Sequence, residues 1–284
     1  MKIHALTTGS VRVKHSFLFP RHGLRRQLDL FLPSAWSHPL PIHCWAIEHA
    51  GVLRLIDTGE TAAAQNVPFA RFDVTREKEL PAALAAAGLS IDDVAEVVLT
   101  HHHGDHVDGL VHLHARVKMN EVEQQHADSA FSRVMRRAMR QPLPQGFAPE
   151  TITLDDGPFG AFKRSRALSD DARIVAVETP GHTPGHISVI CIDDADRHVM
   201  LAGDATDTLE QLHALRADAI GPDPKVHVAT LRTILAHCAQ HQTVYLPSHD
   251  PGSAERLADA TTVSQSFAPS SLLQEPVVSA SSST

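Results

Sequence analysis

Tyrosine is all but missing from this 284-residue chain: Tyr245 is the only one. Cysteine is scarce as well. Cys44, Cys191 and Cys238 are odd in number, far apart and form no CxxC pair. That argues against a disulfide framework and leaves small buried hydrophobes, kept as reduced intracellular thiols. No apolar run approaches the length of a membrane span. The start, MKIHALTTGSVRVKHSFLF, lacks a continuous apolar stretch followed by a small-residue cleavage site. We therefore expect no signal peptide, no membrane contact and a cytoplasmic location. Positive charge is short too: the formal net charge is -8 with histidine neutral. A nucleic-acid binder would show a basic face instead, so the expected partner is a small molecule.

What is abundant is histidine, 21 of 284 residues. The chain as a whole, 43% apolar and 20% charged, can bury an ordinary core. The pattern predicts strands within 1–19 and a hairpin over 42–60, turning at Ala50-Gly51. Between them, 20–41 reads as a long functional loop or insertion. Residues 75–90, alanine-rich and ending near Gly88, predict a helix with a glycine stop. DDVAEVVLT at 92–100 predicts a buried strand, and 119–141 a helix with an arginine stripe at Arg133, Arg136, Arg137 and Arg140, read as a solvated face. ARIVAVETP, ISVICID and HVMLAGD predict three more strands. Residues 223–241 predict a helix capped by Asp223 with Pro224 at its first position, and TVYLPSHD the last strand. A single domain over 1–262 is expected, with α/β content and helices outside two packed sheets. The Ser-rich stretch 263–284 reads as a disordered tail.

The chemistry concentrates in VVLTHHHGDHVDGL, residues 97–110. On an extended segment side chains alternate faces, so His101 and His103 point one way and His102 the other. Gly104 lets the backbone turn, and Asp105 and His106 swing back toward the same centre at the start of a helix. Further polar side chains follow other apolar runs: His182 in ETPGHTPGH, Asp204 after VMLAG and His249 in VYLPSHD. Strand-end loops are where a rigid scaffold presents functional groups. Seven ligands divide into two sites. His101, His103 and His182 form one; Asp105, His106 and His249 form the other; Asp204, with two oxygens, bridges. Imidazole and carboxylate suit Zn first, with Fe, Mn or Co as alternatives. The absence of thiolate argues against a structural zinc. Two such divalent ions sit roughly 3.5–4 Å apart, and water between them is a hydroxide at neutral pH.

HxHxDH at 101–106, GHTPGH at 181–186, Asp204 and His249 together resemble the metallo-β-lactamase superfamily, with every ligand position filled in order over roughly the first 250 residues. The resemblance implies an αββα sandwich of two mixed sheets, with the metals at one edge. Asp57 in LIDTG matches an early strand-end aspartate of that family, which supports the site without being a ligand. Within the superfamily, GLRRQLDLFLPSAW, ETAAAQNVPFARFDV and the YLPSHD ending resemble the N-acyl homoserine lactonase branch. That branch usually has a tyrosine three residues after the bridging aspartate; here Asp207 stands there. The implied reaction is hydrolytic opening of a lactone ring by a metal-bridging hydroxide, with Asp105 or Asp207 as the proton donor. Two other functions remain alongside: another hydrolase of the same fold, a thioesterase or aryl or alkyl esterase, and a non-catalytic metal-binding protein. Plainer readings fall to His102, facing away from the metals; to His186, bracing a loop; and to His112 and His114, on a helix surface. Phe17, Phe19, Phe31, Trp36 and Phe69 read as an acyl pocket or as a homodimer contact.

Overall fold

The central strands are largely apolar runs, broken by single polar residues such as Arg54, Glu96 and Ser188, which is the pattern of strands covered on both faces. A computed structural model, describing residues 1–20 and 25–266, shows where the two faces go. Seven strands form a mixed sheet in the order β4 (Ala70–Asp73), β1 (Lys2–Val13), β2 (Leu40–His49), β3 (Val52–Ile56), β5 (Val94–Leu99), β6 (Arg116–Asn120), β7 (Glu150–Ile152). Five form the second, β12 (Thr243–Pro247), β11 (His198–Gly203), β10 (Ile187–Ile192), β9 (Ile174–Glu178), β8 (Ser165–Ala167).

Side chains one residue apart enter different cores, as the period of 2 requires. Trp45, Ile47 and Val98 face the second sheet, meeting Val189, Cys191, Leu201, Val244 and Leu246. Ala46, Val97 and Leu99 face outward and are covered by Leu80 and Leu84 of the helix α3 (Leu80–Ala86). On the other side Ile190, Met200 and Tyr245 point out against Leu231 and Ile234 of a long helix, α8 (Pro224–Gln240). Helix, sheet, sheet, helix is therefore the layer order, as expected. The other helices are α1 (His15–Leu18), α2 (Arg25–Leu28), α4 (Gly104–Val107), α5 (Glu121–Asp128), α6 (Ala130–Met139), α7 (Leu209–His213), α9 (Ser253–Ala258) and α10 (Val263–Ser266). Among the described residues no helix is long and apolar enough to cross a membrane.

The hairpin forms as read, with Ala50 at φ 51° and Gly51 at φ 77°. Two positive-φ centres are what a two-residue hairpin turn of the I′ kind demands. Three expectations shift. The helix over 119–141 is two: Met119 and Asn120 belong to β6, and Ser129 breaks the run, its extended backbone and hydroxyl capping α6 by accepting from Ser132 N–H. The helix over 75–90 keeps its α form only from Leu80, where Pro81 sits in the first turn, after a 3₁₀ turn at Arg76–Lys78. Of the stretch read as a tail, Val263–Ser266 form the short helix α10, with Val263 buried against the α8 side. The rest of that stretch, 267–284, lies outside the described residues.

What positions the site is strand direction. β3 and β5 are parallel neighbours, as are β11 and β12. β9 runs the same way as β11, since β10 is antiparallel to both. All five therefore end at one edge. There the sheets are stitched together by Ile187 N–H to Thr100 O (3.1 Å) and His43 N–H to Ser248 O (2.9 Å).

Candidate metal centre

β3 delivers Asp57, held in the left-handed region at φ 60°, where aspartate is among the few residues that tolerate it. Its carboxylate accepts from Thr100 N–H (2.8 Å), Thr100 Oγ1–H (2.8 Å) and His106 Nδ1–H (2.8 Å). One aspartate thus fixes both the start of the histidine loop and a ring at its end. From Thr100 the chain runs extended to His103 and turns into α4 at Gly104. His101 and His103 fall on one side and His102 on the other, as the alternation predicts.

The ring nitrogens converge closely. His101 Nε2 lies 3.0 Å from His103 Nδ1, which lies 2.9 Å from His182 Nε2. Asp204 Oδ2 is 3.4 Å from His182 Nε2, 3.9 Å from His101 Nε2 and 3.5 Å from His249 Nε2. Its Oδ1 is 3.3 Å from His106 Nε2. Asp105 stands 3.4 Å from His249 Nε2 and 3.9 Å from His106 Nε2. The two expected trios are both present, each with ligand atoms within 4.8 Å of one another, and Asp204 lies between them.

Tautomers follow from the outer hydrogen bonds. Thr100 Oγ1 spends its proton on Asp57, so at 3.0 Å it accepts from His101 Nδ1. His182 Nδ1 donates to Asp218 (2.6 Å), His106 Nδ1 to Asp57, and His249 Nδ1 to the Pro41 carbonyl (2.8 Å). Each of these four rings, when neutral, then turns a bare Nε2 lone pair inward. Lone pairs and carboxylates facing one another repel unless a proton or a cation intervenes. His106 Nε2 and Asp204 Oδ1 are fully buried yet find no aligned hydrogen-bond partner, an expensive arrangement in a protein interior. Divalent cations fit this donor set and resolve the conflict.

The titration behaviour expresses the same crowding. Burial, then His106 and His103, hold His101 well below its ordinary value. Burial and His182 do so for His103. Burial opposes charge on His182 and His249, but Asp218 and Asp204 respectively outweigh it and lift each to about 9. Asp204 stays well below the usual carboxylate range despite burial, because His106 and His249 face it.

The remaining readings find their places. His102 turns to Glu123, which accepts from its ring and its N–H. His186 braces: its Nδ1 meets Thr179 Oγ1 (2.8 Å) and its Nε2 accepts from Asp204 N–H (3.0 Å). His112 sits in a 3₁₀ turn against Glu79, and His114 is exposed beyond it. Arg133 and Arg137 are exposed on α6. Of the five aromatics, Phe17 and Phe69 line a cavity of about 110 Å³ that opens on the metal ligands. Trp36 lies under Arg71 and Phe19 under Arg216, and Phe31 is 56% exposed. Val11, Val13 and Phe72 complete the apolar wall. Asp207 faces the same cavity, and burial followed by Asp204 raises it to about 7. Tyr245 does not reach the cavity; it is buried in the α8 layer with its hydroxyl on Thr206 (2.9 Å).

Sequence reasoning missed three supports. Glu123 joins two ligand loops, taking Thr183 Oγ1–H (2.7 Å) and Gly185 N–H (3.0 Å) on the oxygen opposite His102. Burial works against its charge, yet His102 first and Thr183 after it hold it below its ordinary value. Asp218 orients His182 while accepting from Ile220 and Gly221 N–H (2.9 and 2.8 Å). Arg26 fastens that loop through the Asp218 and Gly221 carbonyls. The local signal for Asp218 was an acid among small apolar residues before a Gly-Pro turn.

Known proteins resemble this chain in sequence or in fold. Hydroxyacylglutathione hydrolase of Acidiphilium cryptum (strain JF-5) is 31% identical over 154 residues, 54% of this chain and 46% of that protein. The chain covers 62% or less of the length of the curated relatives it matches. An N-acyl homoserine lactone hydrolase, solved with N-hexanoyl-L-homoserine at its catalytic metal centre, superposes with TM-score 0.67 at 18% identity, over 93% of this chain and 97% of that chain. A dizinc quorum-quenching lactonase, solved with a product, gives TM-score 0.62 at 17% identity, over 88% and 87%. At such identities the likeness is one of fold. The model of the metallo-β-lactamase superfamily, however, matches residues 38–249, spanning every one of the seven clustered side chains, and the chain belongs to that superfamily.

Proposed function

We propose that this chain is a dinuclear-metal hydrolase that opens N-acyl homoserine lactones or a closely similar ester. The observation that carries the reading is the pairing of two ligand trios about Asp204 with an apolar-walled cavity at their mouth. His101, His103 and His182 would hold one cation, Asp105, His106 and His249 the other, and Asp204 both. Zinc suits this set best, and Fe, Mn or Co would also be accepted. Two such cations would polarise an ester carbonyl and make water a nucleophile at neutral pH.

The protein's own contribution is placement. Asp57, Asp218, Thr100 and the Pro41 carbonyl keep imidazole lone pairs aimed inward. Val11, Val13, Phe17, Phe69 and Phe72 give an acyl chain a dry wall and keep bulk water from the ester. Asp105 is committed to the second trio. Asp207, buried at the cavity and protonatable near neutrality, is left to deliver the proton to the departing ring oxygen.

A second reading, a thioesterase of the same fold, is favoured by one observation: the similarity to hydroxyacylglutathione hydrolases. The deciding experiment measures metal content of the purified protein together with proton release on short- and long-chain homoserine lactones and on a thioester panel. Two equivalents of metal with lactone opening are expected. Two equivalents with thioester turnover alone would transfer the assignment to the second reading, and metal with no turnover on any ester would leave a binding protein.

A further inference from the structure

We propose a second, separate metal site formed by His198, His237 and His241, able to take a zinc-class divalent transition ion. One ring nitrogen of each lies within 4.8 Å of the other two. His198 Nδ1 lies 2.8 Å from His237 Nε2, a contact that leaves the other ring nitrogen of His237, Nδ1, available to an ion. The ring centroids stand 4.2, 4.7 and 5.0 Å apart.

Three features make this more than a chance gathering. First, His237 is wholly buried and its Nδ1 has no hydrogen-bond partner, so a ring nitrogen is left unsatisfied. Second, there is a notch beside it. Residue 160 is a glycine at φ 54°, and the point its Cβ would occupy lies 2.3 Å from His237 Nδ1 and 3.3 Å from His241 Nε2. Any side chain there would fill the space both nitrogens border. Third, His237 lies in the last turn of α8 and His241 is its C-cap, where the unpaired carbonyls of a helix favour positive charge. Phe159 stacks on His198 and His237 and Phe162 packs on His237.

Imidazoles without carboxylate or thiolate select Zn, Cu, Ni or Co over Mg or Ca. The site opens β11 at His198, whereas Asp204 follows that strand's other end, about 20 Å away at ~3.3 Å per residue. An ion here therefore takes no part in the catalytic pair. It would tie the first residue of β11 to the end of α8, clamping the outer helix to its sheet.

The test is Zn²⁺ titration of metal-free protein with stoichiometry read by native mass spectrometry, beside His241→Ala and His198→Ala. The wild type is expected to take one equivalent more than either variant, while hydrolytic turnover of the loaded variants stays within about two-fold of wild type. In the wild type, Zn²⁺ should slow diethyl pyrocarbonate modification of the partly exposed His241 at least ten-fold, a readout that needs no variant. Equal stoichiometry in all three proteins, or modification of His241 at an unchanged rate, overturns the proposal.

Discussion

Asp218→Asn is the sharpest test of how the catalytic donors are aimed. Asp218 Oδ1 accepts two backbone N–H groups, from Ile220 and Gly221, so the amide oxygen of an asparagine must take that place. Its NH₂ then faces His182 Nδ1, 2.6 Å away in the native protein. Two donors cannot share that contact. His182 escapes by moving its proton to Nε2, which is the nitrogen that meets His103 and Asp204. Only the trio containing His182 is injured. Losing such an outer partner costs typically 10–100-fold in metal affinity, or about 1.4–2.7 kcal/mol. The loop itself should persist, since Arg26 holds it through backbone carbonyls rather than the carboxylate. The assay is a competitive chelator titration resolving the catalytic equivalents, alongside the Tm of the metal-free proteins. We expect one equivalent weakened by the stated factor, turnover at limiting metal falling with it, and a metal-free Tm near wild type. Both affinities unchanged within two-fold would refute the tautomer argument.

Other consequences follow from the same contacts. Asp207→Asn keeps the shape of a group proposed to move a proton, so it should lower kcat by roughly 10²-fold or more with metal content unchanged; unchanged kcat removes Asp207 from the reaction. Gly185→Ala places a Cβ 2.1 Å from Glu123 N and 2.5 Å from its Cα. Backbone cannot yield as a side chain does, so a loss of about 3 kcal/mol or more is expected by urea unfolding, and a loss under ~1 kcal/mol would show that the two loops separate freely. Glu96 is buried among Arg54 and Lys118; burial opposes its charge, but these cations hold it below its ordinary 4.5. Its contribution to stability is therefore full above about pH 4.5 and lost as pH falls through the depressed folded value. The stability difference between wild type and Glu96→Gln should shrink below pH 4.5; a difference independent of pH from 6 to 3 contradicts the assignment.

The parts of the site that were legible are those whose geometry is local. HxHxDH needs only the alternation of an extended chain, one glycine and one helical turn to bring His101, His103, Asp105 and His106 together. His182, Asp204 and His249 were legible because each follows closely on an apolar run, and strand ends share an edge once their directions agree. What stayed hidden joins distant segments. Glu123 meets Thr183 from 60 positions away, Asp218 meets His182 from 36, and Arg26 meets Gly221 from 195. No periodicity encodes such pairings. The false single helix over 119–141 had a different cause. Helix-favouring residues run on both sides of Ser129, and the capping preference of one serine is weak beside twenty residues of favourable composition. The aromatic residues of the front region misled in part because composition cannot separate a cavity wall, as Phe69 provides, from a platform under arginine, as Trp36 provides.

Where the ligands come from has a consequence for the order of assembly. His101, His103, Asp105 and His106 follow the first sheet; His182, Asp204 and His249 follow the second. Both trios therefore draw on both sheets, and Asp204 reaches across to rings from each. The outer hydrogen bonds cross too: His249 is oriented by Pro41 at the start of β2. A chain with its sheets unpacked presents only HxHxDH, whose donors keep Asp57 and Thr100 beside them but lack His182, Asp204 and His249 of the second sheet. Cation binding thus discriminates between packed and unpacked sheets, and by mass action each bound ion stabilises the packed form. In its absence the same carboxylates can be balanced only by protonating imidazoles in a dry interior, which is why His182 and His249 hold their protons to about 9. The crowded lone pairs and carboxylates favour neutralisation by something other than protons, and an ion supplying that charge would add to the backbone hydrogen bonds that close the sandwich at this edge.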